Sequence, residues 1–127
     1  MDGLWFSTSH EWVRIEADGS ATIGISDFAV KSLTDLVYLE LPKVGKTLKA
    51  GENFGVVESV KSANDLVAPV GGTVSAINSA LADDLPTLSD DPFGKGWLIK
   101  LSAPGNPADA GLMNRPAYDT FCASESH

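Results

Sequence analysis

A mostly β fold is what the 127-residue sequence predicts: a small barrel or sandwich, with a short helix after the first strands and a C-terminal helical segment. Three observations carry the prediction. β-prone runs of four to six residues recur along the chain, several of them alternating apolar with polar side chains. Clusters built from the twelve glycines, seven prolines and many aspartates punctuate those runs. Helices are read only after Ser26 and toward the C-terminal end.

From Glu11 to Glu16 polar and apolar residues alternate, Ala17-Asp18-Gly19-Ser20 reads as a hairpin loop, and Ala21 to Ser26 reads as the returning strand. Ser26 or Asp27 caps a short helix whose Phe28, Ala29 and Leu33 fall on one face, to pack against the sheet. Leu36 to Leu41 is a strand stopped by Pro42. Val44 to Leu48, followed by Ala50-Gly51-Glu52, gives a turn, a short strand and another turn. Phe54 to Val57 and Leu66 to Val70 flank a polar tip, the pattern of a second hairpin. Ala68 to Gly72 turns into a strand over Thr73 to Asn78. Residues 83–92, acidic and interrupted by Pro86, read as a surface loop leading to the last strand, Gly96 to Leu101. Pro107 after Asn106 marks a helix start, and Pro116 to Cys122 offers a further helical turn or two that covers one side of the β core. Trp5, Trp12 and Trp97 are packing residues. Asp35-Leu36-Val37 is echoed by Asp65-Leu66-Val67, and Val44 to Leu48 by Val70 to Val74, so two similar sheet halves are expected to meet at the second hairpin.

The length fits one domain over residues 1–127, and a hydrophobic fraction of 43% with a mean hydropathy near zero fits a folded soluble protein. Seventeen acidic against nine basic residues leave a formal charge of −8. With Arg14 and Arg115 the only arginines, nucleic-acid binding is not expected and partners meet an acidic surface. Cys122 is the single cysteine, so neither an internal disulfide nor a thiolate metal cluster can form, and no role is assigned to it. His10 and His127 have no metal-site spacing. No apolar run reaches bilayer length, and the N-terminus has neither a secretory signal nor the Arg/Ser-rich character of a transit peptide.

The stretch from Gly55 to Val67 organises the chain. Lys61 sits at the tip of its turn, with Glu58 three residues before and Asp65 four after. An exposed lysine is by default a solvated charge. A tight turn between acidic residues offers no apolar pocket to activate an amine, which argues against Schiff-base or general-base chemistry. It favours a lysine presented, exposed and framed, to another enzyme.

The run Glu58-Ser59-Val60-Lys61-Ser62, followed by Asp65, resembles the lipoylation site of glycine cleavage system H proteins. The similarity continues through Ser9 to Val13, Ala21 to Asp27, Val37 to Pro42 and Asp91 to Trp97. The resemblance implies the barrel-sandwich hybrid of lipoyl and biotinyl carriers and lipoate joined to the Lys61 amine, with Glu58, Val60 and Ser62 read by the lipoylating enzyme and Glu58 also framing the hairpin. It further implies a non-catalytic, monomeric shuttle. Such a shuttle takes an aminomethyl group from a pyridoxal-phosphate glycine decarboxylase to a tetrahydrofolate-dependent aminomethyltransferase, and is reoxidised by the flavin enzyme dihydrolipoamide dehydrogenase. A cleft holding the loaded arm maps to Ser9, Glu11 and Asp65, whose carboxylates would face the arm's cation. Two departures from the family pattern stand out. Ser89 replaces an expected asparagine and Phe93 a frequent tyrosine. Phe28 and Ser32 stand where relatives carry a helical histidine, so no imidazole is expected from that helix. The first residues, Leu4 to Trp12, and the ending Phe121-Cys122 resemble mature plant or algal mitochondrial forms, so the mitochondrial matrix is the expected location and a bacterial cytoplasm the alternative.

Other classes fit less well. A biotin carrier places methionines beside the lysine, where this chain has Val60 and Ser62. A lipoyl relay serving other complexes would carry the same motif. A cofactor-free scaffold has no use for a framed, protruding lysine, and an enzyme would need a triad, phosphate loop or metal set that is absent from the sequence.

Overall fold

The structure, a computed structural model, describes residues 4–33, 35–106 and 111–125, with backbone only at 124 and 125. Its described strands are β1 (Leu4–Phe6), β2 (Glu11–Ile15), β3 (Ala21–Ile25), β4 (Leu36–Glu40), β5 (Thr47–Leu48), β6 (Asn53–Ser59), β7 (Ala63–Val67), β8 (Gly72–Ile77) and β9 (Ile99–Ser102). They form a six-stranded sheet in the order β1-β2-β3-β9-β8-β5 and a three-stranded sheet in the order β4-β6-β7. Helices α1 (Asp27–Leu33), α2 (Leu85–Asp90) and α3 (Arg115–Glu125) and a 3-10 turn over Ser79–Asp83 complete the described architecture. The mostly β expectation holds, with two sheets and few helices. The segments around Leu48 and Val74 pair antiparallel, Thr47 opposite Thr73, and β4 and β7 flank β6 on its two sides.

Alternation along β2 and β3 builds two cores on opposite faces of the larger sheet. Val13, Ala21, Ile23 and Ile25 turn inward to meet Leu39, Val57 and Leu66 of the smaller sheet. Trp12 turns outward into a second cluster with Leu4, Phe6, Tyr118 and Cys122, under α3. Directly opposite Trp12 stands Gly24, where an added Cβ would lie 2.7 Å from the indole. The indole N–H donates to the carbonyls of Ile25 and Pro92, each at 3.0 Å, so the ring is locked over a position only glycine fits. In the smaller sheet Gly55 plays the same part for the backbone: a Cβ there would meet the Glu40 carbonyl oxygen at 2.2 Å and force β4 off β6.

Several expectations need correction. Three residues, Leu4–Phe6, form an additional first strand, held by β2 and by the paired backbone bonds between Phe6 and Met113. Residues 83–92 are not a loop. Leu81, Leu85 and Leu88 recur at helical spacing, and burial of Leu81 and Leu88 stabilises the 3-10 turn and α2, with Pro86 in the first turn where its missing N–H costs nothing. The second strand of the central hairpin begins at Ala63 rather than Leu66 and ends at Val67. In α1 the buried positions are Val30 and Leu33, while Phe28 packs with the second cluster instead of sharing their face. Around Pro116, α3 is longer than a turn or two, with Asn114 capping the Ala117 amide. The predicted helix start at Pro107 lies outside the described residues, as does His127. Trp12 is fully buried and Trp5 and Trp97 are half-buried, as packing residues should be. No described helix is long and apolar enough to cross a membrane.

Candidate functional site

The lysine turn is framed from within. β6 and β7 pair from Asn53–Val67 to Glu58–Ala63, leaving Val60, Lys61 and Ser62 to cross between them. Ser59, buried, directs its hydroxyl into the turn and accepts from the amides of Lys61 at 3.4 Å and Ser62 at 3.3 Å, while its own amide donates to the Ser62 carbonyl at 2.8 Å. The Val60 amide donates to the carbonyl of Asp35 at 3.0 Å, which ties the tip to the start of β4. Val60 is 68% exposed and Lys61 and Ser62 are exposed beside it. The ion pairs among the described residues join Arg14 to Glu16 and Arg115 to Asp27 and Asp119, so none engages the Lys61 ammonium. Glu58 and Asp65 lie on β6 and β7 at positions that pair with Tyr38 of β4 and with Val56. The hydrogen bonds that frame the turn come from Ser59 and Asp35, while Glu58 stands opposite Tyr38, whose phenol pKa is pushed up by the Glu40 carboxylate and, more weakly, by that of Glu58.

Beside the feet of the hairpin is a cleft of about 110 Å³. Its apolar lining comes from Ile25, Ala29, Leu33, Val57 and Leu66, and its polar lining includes Ser9, His10, Glu11, Ser32, Asn64 and Asp65. The three residues assigned to an arm-holding cleft, Ser9, Glu11 and Asp65, thus come together. Ser9 and Asp65 are exposed, but Glu11 is only 1% exposed. Its carboxylate accepts from the hydroxyls of Ser7 (2.8 Å) and Ser9 and from the Val67 amide at 3.1 Å, which joins the N-terminal turn to β7. Burial raises the Glu11 pKa against the opposing pull of these hydrogen bonds. Glu11 is a buried staple of the cleft and not a rim carboxylate.

The cleft has two walls, both held by α3. The turn Ser7 to Glu11 forms one wall, with His10 in the left-handed region at φ 75°. Helix α1 forms the other, its N-terminus capped by the Ser26 hydroxyl, which accepts from the Ala29 amide at 3.1 Å. Arg115 of α3 reaches α1 with two parallel bonds to the Asp27 carboxylate, at 3.2 and 3.1 Å. Burial pushes the Asp27 pKa up, yet the Arg115 bonds and charge outweigh it and the net shift is downward. Tyr118, fully buried and stacked on Phe6 with ring centroids 4.3 Å apart, carries its hydroxyl to His10 and Ser26. Burial raises its phenol pKa strongly, so it stays neutral.

The sequence reading missed Ser59 and His10 as site residues. Ser59 lies inside the quoted motif, and only the turn geometry separates its role from that of Glu58. His10 supplies to the cleft, from the N-terminal wall, the imidazole that α1 lacks, and stacks near Phe28 with ring centroids 4.9 Å apart. Ser89 is half-buried in α2 and Phe93 packs edge-on against Phe6. No cluster of potential metal ligands occurs among the described residues.

A framed lysine thus stands at the tip of a hairpin in the smaller sheet, beside a small cleft. The family model described as glycine cleavage H-protein matches residues 4–125. The chain belongs to the glycine cleavage H-protein family. Among its relatives are the glycine cleavage system H protein of Opitutus terrae, 54% identical over 91% of each chain, and glycine cleavage system H protein 2 of Pseudomonas aeruginosa, 55% identical over 96% of this chain and 94% of the relative. The crystal structure of a glycine cleavage system H protein from Mycobacterium marinum matches with a TM-score of 0.82 at 34% identity, covering 100% of this chain and 99% of that one. The fold of the family, a barrel-sandwich hybrid, is the fold of this chain. These relatives are bacterial, and the expected plant or algal mitochondrial origin finds no support in them.

Proposed function

We propose that the chain, one carrier domain over residues 1–127, bears lipoate on Lys61 and shuttles an aminomethyl group within the glycine cleavage system of a bacterial cytoplasm, without catalysing a reaction of its own. The observation that carries this reading is the turn itself: an exposed lysine, without an ion pair among the described residues, whose flanking backbone is fixed by Ser59 and Asp35. Rigid framing lowers the ordering a lipoylating enzyme must impose when it draws the lysine into its active site. Val60, Ser62 and Glu58 are the neighbours that enzyme would contact.

When bound, lipoate supplies a dithiolane whose redox and group-transfer chemistry no side chain offers. The chain's own residues would position and shelter. Ile25, Ala29, Leu33, Val57 and Leu66 give the cleft an apolar body suited to an aliphatic arm, and Asp65 places a carboxylate at its opening to hold a cationic end. Ser9 fixes Glu11, and Glu11 fixes the wall. Partners would be the pyridoxal-phosphate glycine decarboxylase, the tetrahydrofolate-dependent aminomethyltransferase, dihydrolipoamide dehydrogenase and the lipoylating enzyme, each meeting an acidic carrier of formal charge −8.

The test is peptide-level mass spectrometry after treatment with a lipoate-protein ligase. A single lipoyl adduct on Lys61, absent from Lys61→Arg, supports the reading. An unmodified chain under conditions that modify a known acceptor overturns it.

A further inference from the structure

We propose that Tyr118 is a positioning residue, whose hydroxyl joins His10 to Ser26 and thereby sets the spacing between the two walls of the cleft beside the lysine hairpin. This rests on the carrier reading only for its functional meaning; the geometry stands by itself. The hydroxyl oxygen lies 2.8 Å from His10 Nδ1 and 2.5 Å from Ser26 Oγ. His10 belongs to the N-terminal wall, while Ser26 caps α1, which contributes Ala29, Ser32 and Leu33 to the other. The two walls also meet through the Ser26 amide, which donates to the His10 carbonyl at 2.9 Å, so backbone and side chains close a small ring around the joint.

Three features mark this joint as specific and not generic packing. His10 adopts φ 75°, in the left-handed region that few residues other than glycine enter, and from there its Nδ1 meets the Tyr118 hydroxyl. Tyr118 is fully buried, so an unmatched hydroxyl there would lose water without replacement, and its polar partners, His10, Ser26 and the Cys122 thiol, are what make a tyrosine suitable where phenylalanine would pack equally well. Arg115, one turn earlier on α3, repeats the connection by gripping Asp27 at the first residue of α1. Through Tyr118 and Arg115 the C-terminal helix braces a cleft to which it contributes no lining residue.

The test is amide hydrogen exchange with 15N NMR of the His10 imidazole, on wild type, Tyr118→Phe and Leu4→Ala. Tyr118→Phe keeps the ring stacked on Phe6 and deletes only the hydroxyl. Leu4→Ala empties space in the same cluster and leaves the joint alone. The expected result for Tyr118→Phe is exchange faster by about tenfold or more at the amides of Glu11, Ser26, Ala29 and Val30, little change at Val57 and Leu66, and altered imidazole resonances. Leu4→Ala should speed exchange broadly and leave the imidazole signals near wild type. Unchanged exchange in Tyr118→Phe, or a broad acceleration like that of Leu4→Ala, overturns the assignment. Treating each variant with lipoate-protein ligase in parallel separates this result from the carrier reading. Lys61 is expected to be modified in Tyr118→Phe as in wild type, and a wild type that takes no lipoate would remove the carrier reading while the exchange data still decide the joint.

Discussion

At the hairpin tip, all but one of the hydrogen bonds that shape the turn come from within three residues of Lys61, whereas the cleft at its feet is held by contacts that span as many as 108 positions of sequence. The tip is exposed and local; the cleft is buried and non-local. A group offered to other enzymes must leave the protein surface, and a short self-contained turn achieves that without involving the core. On the proposed reading the cleft shelters an arm and must keep its shape against thermal motion, and Glu11 and Tyr118 are the buried groups that brace it. Substitutions should therefore separate the two regions, with chemistry lost at the tip and stability lost at the brace.

The sharpest separation is expected at Lys61. Lys61→Arg keeps the charge, removes the acylatable amine and abolishes lipoylation in an intact-mass measurement, with stability within about 0.5 kcal/mol of wild type by denaturant unfolding. Tyr118→Ala is the converse, losing about 3–5 kcal/mol from the emptied ring volume while the folded fraction remains a ligase substrate. Equal losses of both properties in either variant would break the comparison.

A smaller effect belongs to Ser59→Ala, which takes the acceptor from two turn amides. It should cost about 1 kcal/mol and slow lipoylation without preventing it. If exchange at the Lys61 and Ser62 amides quickens in Glu58→Gln but not in Ser59→Ala, framing has been assigned to the wrong neighbour.

The pH dependence of stability gives the smallest and most specific signal. Burial holds the Glu11 carboxyl above its ordinary 4.5, so the folded state binds that proton more tightly than the unfolded chain. Its contribution is complete below 4.5 and is lost as pH rises through the folded value. Asp27, held below its ordinary 3.8 in spite of its burial, contributes in the opposite sense: present above 3.8, lost as pH falls through the folded value. Urea unfolding across pH should show Glu11→Gln flattening the upper slope and Asp27→Asn the acid slope. Asp27 is partly exposed, so its effect should stay near 0.5 kcal/mol.

How legible each region is in the sequence follows from the same contrast. The hairpin around Lys61 declares itself by two apolar β-prone runs and a polar tip, both local signals, and the motif adds the family. Ser9, Glu11 and Asp65 come from resemblance, and nothing local says that Glu11 is buried, because the Val67 amide that meets its carboxylate comes from 56 positions away. Residues 83–92 show why local signals mislead: four aspartates and Pro86 argue for a loop, while the helical spacing of Leu81, Leu85 and Leu88 becomes decisive only once a core exists to receive them. The joint of His10, Ser26 and Tyr118 has no sequence signature at all. It depends on α3 lying across β1 and β2.

The central claim is that this chain carries its group from one enzyme to the next, and the most direct measurement is glycine decarboxylation by a glycine cleavage decarboxylase supplied with the mass-verified lipoyl-Lys61 protein. Carbon dioxide release is expected to depend on the lipoylated chain and saturate with it, with none above background for the unmodified chain or Lys61→Arg. Release at background level with fully lipoylated protein, beside an H protein that supports turnover, would contradict it.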